Sequence, residues 1–192
     1  MPEYFEKEKK DFLNKIDKSK KGSIDKDALK LVSGINSKAN YYTTSSCAGR
    51  IVLLEKLSRK KNKCRWLLVK HSKVTSNEIY NCLKDYKSKN NGNEVWFKQE
   101  PLIIHVRCKN IEAAKRFLDA SRKLYKRTGI ISLNDKKIMI ELIGNERIDT
   151  IIANQGWIAD VNYIKELVKH ANRNFMENKK KISKFLKIIK KL

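Results

Sequence analysis

The sequence predicts an α+β protein, with helices at both ends and short strands between them. Apolar residues near both termini recur at helical spacing, whereas the middle of the chain holds short β-branched or aromatic runs separated by turns. None of the seven glycines forms a G-x-G or phosphate-loop pattern, which disfavours a doubly wound fold that binds a nucleotide cofactor. At 192 residues the chain suits one core, so a single domain over residues 1–192 is expected.

Two helices are expected within residues 1–39, over 3–20 and 25–36. Phe5, Phe12 and Ile16 give the first an apolar face, and Ser23 or Asp25 can cap the second. At the other end, residues 160–192 predict two more helices, over 160–177 and 179–192. The last is rich in lysine around an apolar face, so it either touches RNA or a membrane surface or docks on the sheet with its lysines in water.

Residues 40–159 are expected to form the sheet-rich part of the domain. The first hairpin and helix are predicted at 51–54, 66–69 and 76–87, and the second at 94–99, 102–108 and 111–127. A further hairpin is expected at 130–133 and 137–142. Because two units share the order of hairpin then helix, we expect two repeats whose strands share one strongly curved mixed sheet.

The charge of the chain indicates a polyanionic partner. Lys and Arg outnumber Asp and Glu by 44 to 21, for a formal charge of +23, and nucleic acid is the leading partner class. An anionic membrane surface is the competing polyanion, but no apolar run approaches the roughly 20 residues of a membrane span and no signal peptide opens the sequence. A soluble, cytoplasmic protein is expected.

The cysteines and histidines do not predict a metal site. Four cysteines are widely spaced without a C-x-x-C pair, and the three histidines also lack the spacing of metal ligands. We therefore expect reduced thiols and no bound metal.

The polar segment 40–51 has the composition of an anion-binding loop. Hydroxyl donors are followed by Cys47, by Gly49, which lets backbone amides approach a ligand, and by Arg50, whose planar guanidinium suits phosphate or carboxylate. The alternative is a polar loop that only connects a helix to a strand.

Further candidate residues stand at the ends of the predicted strands. His71 and His105 can accept a proton near neutral pH, whereas Lys70 and Arg107 can hold phosphates or a carboxylate. Strand alternation places His105 on the face opposite Ile104 and Val106, where a hydrogen-bonded structural histidine would also be ordinary.

The order of these motifs resembles the third wybutosine-synthesizing protein family. The resemblance rests on Tyr-Tyr-Thr-Thr-Ser-Ser-Cys-Ala-Gly-Arg-Ile at 41–51 and on segments 66–71, 97–101, 105–108 and 128–130, and it extends to the C-terminal helices. Ala48 departs from the family, in which serine is frequent at this position. We expect an archaeal rather than a eukaryotic member of the family, because the chain stands alone without extra domains.

This resemblance implies a methyltransferase that uses S-adenosylmethionine to methylate N4 of a demethylwyosine base beside the anticodon of phenylalanine tRNA. It also implies a fold outside the doubly wound methyltransferases, in which two similar halves of strands and helices share a barrel-like sheet. The implied cofactor residues are Ser45, Ser46, Cys47, Gly49 and Arg50. No obligate protein partner is implied.

Methyl transfer of this kind is an in-line displacement in which the enzyme mainly aligns the reacting groups. The candidates for a base that takes the N4 proton are His71, His105 and Glu100. Lys70, Arg50 and Arg107 are the candidates for binding tRNA phosphate or the methionine carboxylate.

An aromatic side chain is also expected to stack on the enlarged base or on adenine. Tyr42 is the preferred candidate, because the strand positions of Trp66 and Trp96 favour core packing. The alternative function is a noncatalytic protein that binds the anticodon loop of tRNA.

Overall fold

The computed structural model describes residues 2–14, 26–58, 63–88, 92–135 and 137–192. Helices in this part of the chain are α1 (Pro2–Leu13), α2 (Lys26–Asn36), α3 (Ser76–Ser88), α4 (Ile111–Arg122) and α5 (Val161–Lys190). Strands are β1 (Tyr41–Cys47), β2 (Arg50–Lys56), β3 (Cys64–Lys70), β4 (Val95–Glu100), β5 (Ile103–Cys108), β6 (Gly129–Asn134), β7 (Lys137–Ile143), β8 (Ile148–Asn154) and β9 (Trp157–Ile158). The α+β class is confirmed.

The chain divides into two compact units built from interleaved segments. Unit 1 comprises Met1–Ala48, Leu102–Asn145 and Lys179–Leu192, and unit 2 comprises Gly49–Pro101 and Glu146–Asn178. Each unit contains its own sheet, and all strand pairs in the described residues are antiparallel. One domain over 1–192 stays a prediction.

Unit 1 has the strand order β1-β5-β7-β6. One face of this sheet packs against α2, α4 and the last turns of α5, and its largely aliphatic core includes four aromatic residues, Tyr41, Phe117, Tyr125 and Phe185. The ring of Phe185 lies edge-on to both Phe117 and Tyr125, with centroids 6.2 and 5.3 Å apart. Asn110 caps α4 by accepting a hydrogen bond from the Ala113 amide at 2.9 Å, as its sequence position predicts.

Unit 2 has the strand order β3-β2-β4-β8-β9. Its core is formed by residues of these strands, alternating along β2 and β4, together with α3 and the first part of α5. A capping box begins α3: the Thr75 amide donates to Glu78 Oε2 at 2.8 Å, and the Glu78 amide donates to Thr75 Oγ1 at 3.2 Å.

The expectation of one shared, curved mixed sheet is therefore wrong, since two open antiparallel sheets are present. The second predicted hairpin is also wrong, because β4 pairs with β2 and β8 whereas β5 pairs with β1 and β7. Both edges of β4 are occupied, so none is left for β5. Pro101 follows β4 directly, and it lacks an amide hydrogen with which to extend a ladder. The expectation of two hairpin-and-helix repeats depended on a β4–β5 hairpin, and these two strands do not pair.

Three helices, α1, α4 and α5, have boundaries that differ from the predicted ones. The two predicted C-terminal helices are one helix, α5, because no glycine or proline interrupts Val161–Lys190. Helix α4 ends at Arg122, where Leu124 and Tyr125 donate to the Ser121 carbonyl in a turn that returns Tyr125 to the core. The predicted first helix extends to residue 20, but α1 ends at Leu13, and residues 15–25 lie outside the described part. No helix in the described ranges combines the length and apolarity of a membrane span.

Candidate active site

The polar segment after residue 40 is a strand rather than a loop. Residues Tyr41–Cys47 form β1, an edge strand that pairs with β5, with a register shift between Thr43 and Ser45. Alternation then places Ser45 and Cys47 on one face, and Ser46, which pairs with Ile104, on the other. The expected cluster of hydroxyls around one ligand is therefore split between the two faces of the sheet.

A hydrogen-bonded chain crosses three strands of unit 1. Ser45, His105 and Glu141 lie side by side on β1, β5 and β7, opposite the face on which Ile104 and Ile140 enter the core. Ser45 Oγ is 3.0 Å from His105 Nδ1, and His105 Nε2 is 2.9 Å from Glu141 Oε2. The side chains of His105 and Glu141 are 28% and 34% exposed, so a substrate can reach them.

The acceptor chemistry of Glu141 sets the tautomer of a neutral His105. An ionised carboxylate can only accept, so the hydrogen lies on Nε2 and is donated to Glu141. The lone pair of Nδ1 is then directed at Ser45, whose hydroxyl donates to it. This arrangement can receive a proton at Ser45 Oγ and hold it on the imidazole, with Glu141 stabilising the resulting cation.

Tyr42 and Arg107 form the adjacent row and are covered by α1. Tyr42 is 2% exposed, and its ring centroid lies 5.5 Å from that of Phe5. Arg107 is 4% exposed, with Nε 3.3 Å from Glu8 Oε2 and Nη1 donating to the Cys108 carbonyl at 2.6 Å. Burial, followed by the nearby Glu8 carboxylate, raises the pKa of the Tyr42 hydroxyl. In this arrangement neither side chain presents a free face to a base or a phosphate, contrary to expectation.

A second group of candidate residues lies in unit 2. Arg50 Nε is 2.5 Å from Glu100 Oε2, and the Arg50 guanidinium carbon lies 4.9 Å from the ring centre of Trp66. Glu100 thus serves as the ion-pair partner of Arg50, which makes it a weaker candidate for the base than His105. Trp66 is 44% exposed, so the tryptophan expected in the core is accessible and the tyrosine expected at the ligand is buried.

Gly49 is needed for packing as well as for its conformation. It has φ +104°, which L side chains rarely adopt. A Cβ at this position would lie 2.8 Å from the Glu100 carbonyl oxygen and 2.9 Å from the Asn178 amide nitrogen. Protein atoms already occupy the space beside its Cα, so Gly49 does not form an open cradle for a ligand on that side.

Lys70 and His71 belong to unit 2, whereas the Ser45–His105–Glu141 chain belongs to unit 1. Lys70 pairs with Ile51 on the helix-facing side of the unit 2 sheet, and its Nζ is 2.5 Å from Glu78 Oε1. His71 follows directly after β3 in the same unit. Lys70 is thus committed to the start of α3 in this structure, and a role for His71 stays a prediction.

Sequence reasoning missed Glu141 as a site residue. Its alternation with Ile140 and Leu142 marks it as a polar residue facing away from the core. That signal could have drawn attention to Glu141, but its proximity to His105 depends on the register of β5 and β7, which sequence alone does not define.

Comparison with known proteins gives a consistent set of relatives. A family model described as Methyltransferase TYW3 matches residues 7–191. The "tRNA wybutosine-synthesizing protein 3 homolog" of Bos taurus is 33% identical over 187 residues, covering 94% of this chain and 70% of that protein. A Methanocaldococcus jannaschii protein named "tRNA(Phe) 7-((3-amino-3-carboxypropyl)-4-demethylwyosine(37)-N(4))-methyltransferase" is 34% identical over 173 residues, covering 88% of each chain. A solved Pyrococcus horikoshii structure matches with TM-score 0.87 and 30% identity, covering 98% of this chain and 97% of that one.

Proposed function

The chain belongs to the Methyltransferase TYW3 family, and on that premise we propose that it methylates N4 of a demethylwyosine-type base in phenylalanine tRNA, as a step of wyosine-derivative biosynthesis. The family match covers nearly the whole chain. The charge of +23 suits a tRNA substrate. The methyl donor is S-adenosylmethionine, the anticodon stem-loop is the part of the tRNA that is bound, and the protein acts in the cytoplasm without an obligate protein partner.

The Ser45–His105–Glu141 chain is the observation that supports a catalytic role. N4 carries a proton that must leave as the new N–C bond forms, and a hydrogen-bonded base beside the nucleophile accepts it. Ser45 Oγ receives the N4 proton while the Ser45 hydroxyl proton passes to His105 Nδ1 over 3.0 Å. Glu141 holds the ring in the orientation that aims Nδ1 at Ser45.

The residues of β1 fit a methyl donor only in part. Ser45 and Cys47 lie on the same face of the sheet as His105, the proposed general base. They are therefore the two predicted cofactor residues that suit a methyl donor bound on that face. When bound, S-adenosylmethionine supplies the electrophilic methyl group. Ser46 and Gly49 face packed protein or the opposite side of the sheet, so their direct contact with the donor is not favoured. Arg50 is partly exposed and retains the chemistry to hold a carboxylate or phosphate.

The test is transfer of labelled methyl from S-adenosylmethionine to phenylalanine tRNA carrying demethylwyosine, with unmodified tRNA as the control and nucleoside analysis of the product. We expect label at N4 in the modified tRNA alone. His105→Gln should lower kcat by about 10²–10⁴-fold, the usual contribution of a positioned base. Ser45→Ala should also lower kcat, because it breaks the proton path.

His170→Gln is the matched control, because His170 is an exposed histidine on α5 that interacts with Arg173 outside this chain of hydrogen bonds. Equal losses in His105→Gln and His170→Gln would contradict the assigned base. Tight tRNA binding without methyl transfer by the unchanged protein would instead support the noncatalytic anticodon-loop-binding function.

A further inference from the structure

Two tryptophans flank a leucine on the sheet face of unit 2 that points away from its helical core. Leu54 on β2 pairs with Trp66 on β3 and with Trp96 on β4, so the three share one row across the sheet. Two strand spacings separate the tryptophan positions by roughly 10 Å. Val95 and Phe97, on either side of Trp96, enter the helical core, which places Trp96 on the opposite face.

Cations lie over the rings of both tryptophans. Arg50 lies 4.9 Å from the Trp66 ring centre, and Lys56 and Lys98 lie 3.8 and 5.3 Å from that of Trp96. We call these five residues, Arg50, Lys56, Trp66, Trp96 and Lys98, the tryptophan face.

Each cation of the tryptophan face also has a carboxylate partner, Glu100 for Arg50, Glu94 for Lys56 and Asp149 for Lys98. Most of the side chains in these pairs are partly exposed, and surface ion pairs are individually weak. A phosphate can therefore replace a carboxylate at small cost.

We propose that the tryptophan face binds unstacked bases of an RNA single strand, with Trp66 and Trp96 stacking on bases and the three cations contacting phosphates. The proposal rests on the proposed function, because it assigns part of the tRNA-binding surface. An exposed aromatic surface alone would also suit a protein partner. The combination of aromatic rings with cations, in a chain of charge +23, favours RNA, since sheets bind single strands by stacking on bases and contacting phosphates.

Affinity for a synthetic anticodon stem-loop RNA, measured without methyl donor, tests the stacking role. Trp66→Ala should weaken binding by about 5- to 150-fold, the range for loss of one stacked base. A fully base-paired RNA of the same length should bind no more weakly to this variant than to the unchanged protein. The matched control is Trp157→Ala, which removes an exposed tryptophan from β9, at the opposite edge of the same sheet.

The salt dependence of binding separates phosphate contact from a purely structural role. Lys56→Gln should reduce the slope of log K against log salt by about 0.7, the value for one phosphate of a single strand. Trp66→Ala should leave that slope unchanged. Lys169→Gln is the matched lysine control, because Lys169 also pairs with a glutamate at 3.4 Å but lies on α5.

Tryptophan fluorescence gives an independent readout, since the chain has only three tryptophans. RNA should quench Trp66 and Trp96, so the quenched amplitude should fall in Trp66→Phe and persist in Trp157→Phe. The proposal would be overturned if Trp66→Ala bound the stem-loop RNA with unchanged affinity and Lys56→Gln showed an unchanged salt slope. It would also be overturned if Trp66→Ala weakened binding of the base-paired RNA as much as binding of the stem-loop. Absence of methyl transfer by the unchanged protein would overturn the proposed function but not these binding results, so the two failures are distinguishable.

Discussion

Replacement of Gly49 by alanine separates a packing role from a ligand-binding role at the break between β1 and β2. The glycine has φ +104°, and the alanine Cβ would lie 2.8 Å from a backbone carbonyl oxygen and 2.9 Å from the Asn178 amide nitrogen. An unfavourable backbone conformation costs roughly 1–3 kcal/mol. The steric overlap adds about 1–3 kcal/mol, because a backbone carbonyl cannot move aside as a flexible side chain can.

We therefore expect Gly49→Ala to lower the free energy of unfolding by about 2–6 kcal/mol, which corresponds to roughly 4–24 °C in Tm for a chain of this size. The measurement is denaturant unfolding followed by far-ultraviolet circular dichroism, with a thermal melt in parallel. Two other glycines provide a graded comparison. Gly156 has φ +85° but no atom within 4 Å of its Cβ position, so Gly156→Ala should show the conformational cost alone.

Gly129 has neither a positive φ nor a close neighbour, so Gly129→Ala should change stability by less than about 1 kcal/mol. The expected order of destabilisation is Gly49, then Gly156, then Gly129. A Gly49→Ala protein as stable as Gly129→Ala would refute the packing argument. If that stable variant also lost methyl transfer, a direct contact of Gly49 with the donor would be restored as the explanation.

Three further predictions concern stability and thiol chemistry. The Lys70 ammonium, followed by the Thr75 amide, lowers the pKa of Glu78 from 4.5, so the stabilising contribution of Glu78 is present above pH 4.5 and is lost as pH falls through the lowered value. The stability difference between Glu78→Gln and the unchanged protein, measured by urea unfolding, should therefore shrink on acidification, and a constant difference would contradict this. Burial raises the pKa of the Cys108 thiol to about 12, so peptide mapping after alkylation at pH 8 should find Cys108 modified only when denaturant is present. Glu8→Gln should destabilise the protein by roughly 1–3 kcal/mol, because it leaves the nearly buried Arg107 without its carboxylate, and an unchanged Tm would show that the pair contributes little.

Local patterns in the sequence were sufficient for most of the helices and for two hairpins. Helices α2 and α3 and the β2–β3 and β6–β7 hairpins lie close to the predicted positions, because capping residues, turn residues and apolar spacing are all local signals. Strands β8 and β9 were not predicted, and β1 was interpreted as a loop. Threonine and serine suit loops and strands alike, and it is pairing with β5 that makes residues 41–47 a strand.

Identification of the family also came from the sequence, because ordered motifs need no three-dimensional context. Strand alternation correctly placed His105 on the face opposite Ile104 and Val106, which lie in the core. The expectation that Tyr42 stacks on a ligand does not agree with its burial beneath α1. That burial depends on contacts with Phe5 and Phe12, which come from a distant part of the chain.

The sequence alone determined the α+β class, the excess of positive charge, the family and most helix positions, since each depends on composition or on neighbours along the chain. Only the tertiary structure decided that Ser45, His105 and Glu141 form one hydrogen-bonded row, that Arg107 is paired with Glu8, and that Trp66 is exposed. The reason is strand register. A shift of one residue between two strands reverses the face on which every side chain lies, and that register is set by the packing of the whole sheet rather than by any single segment.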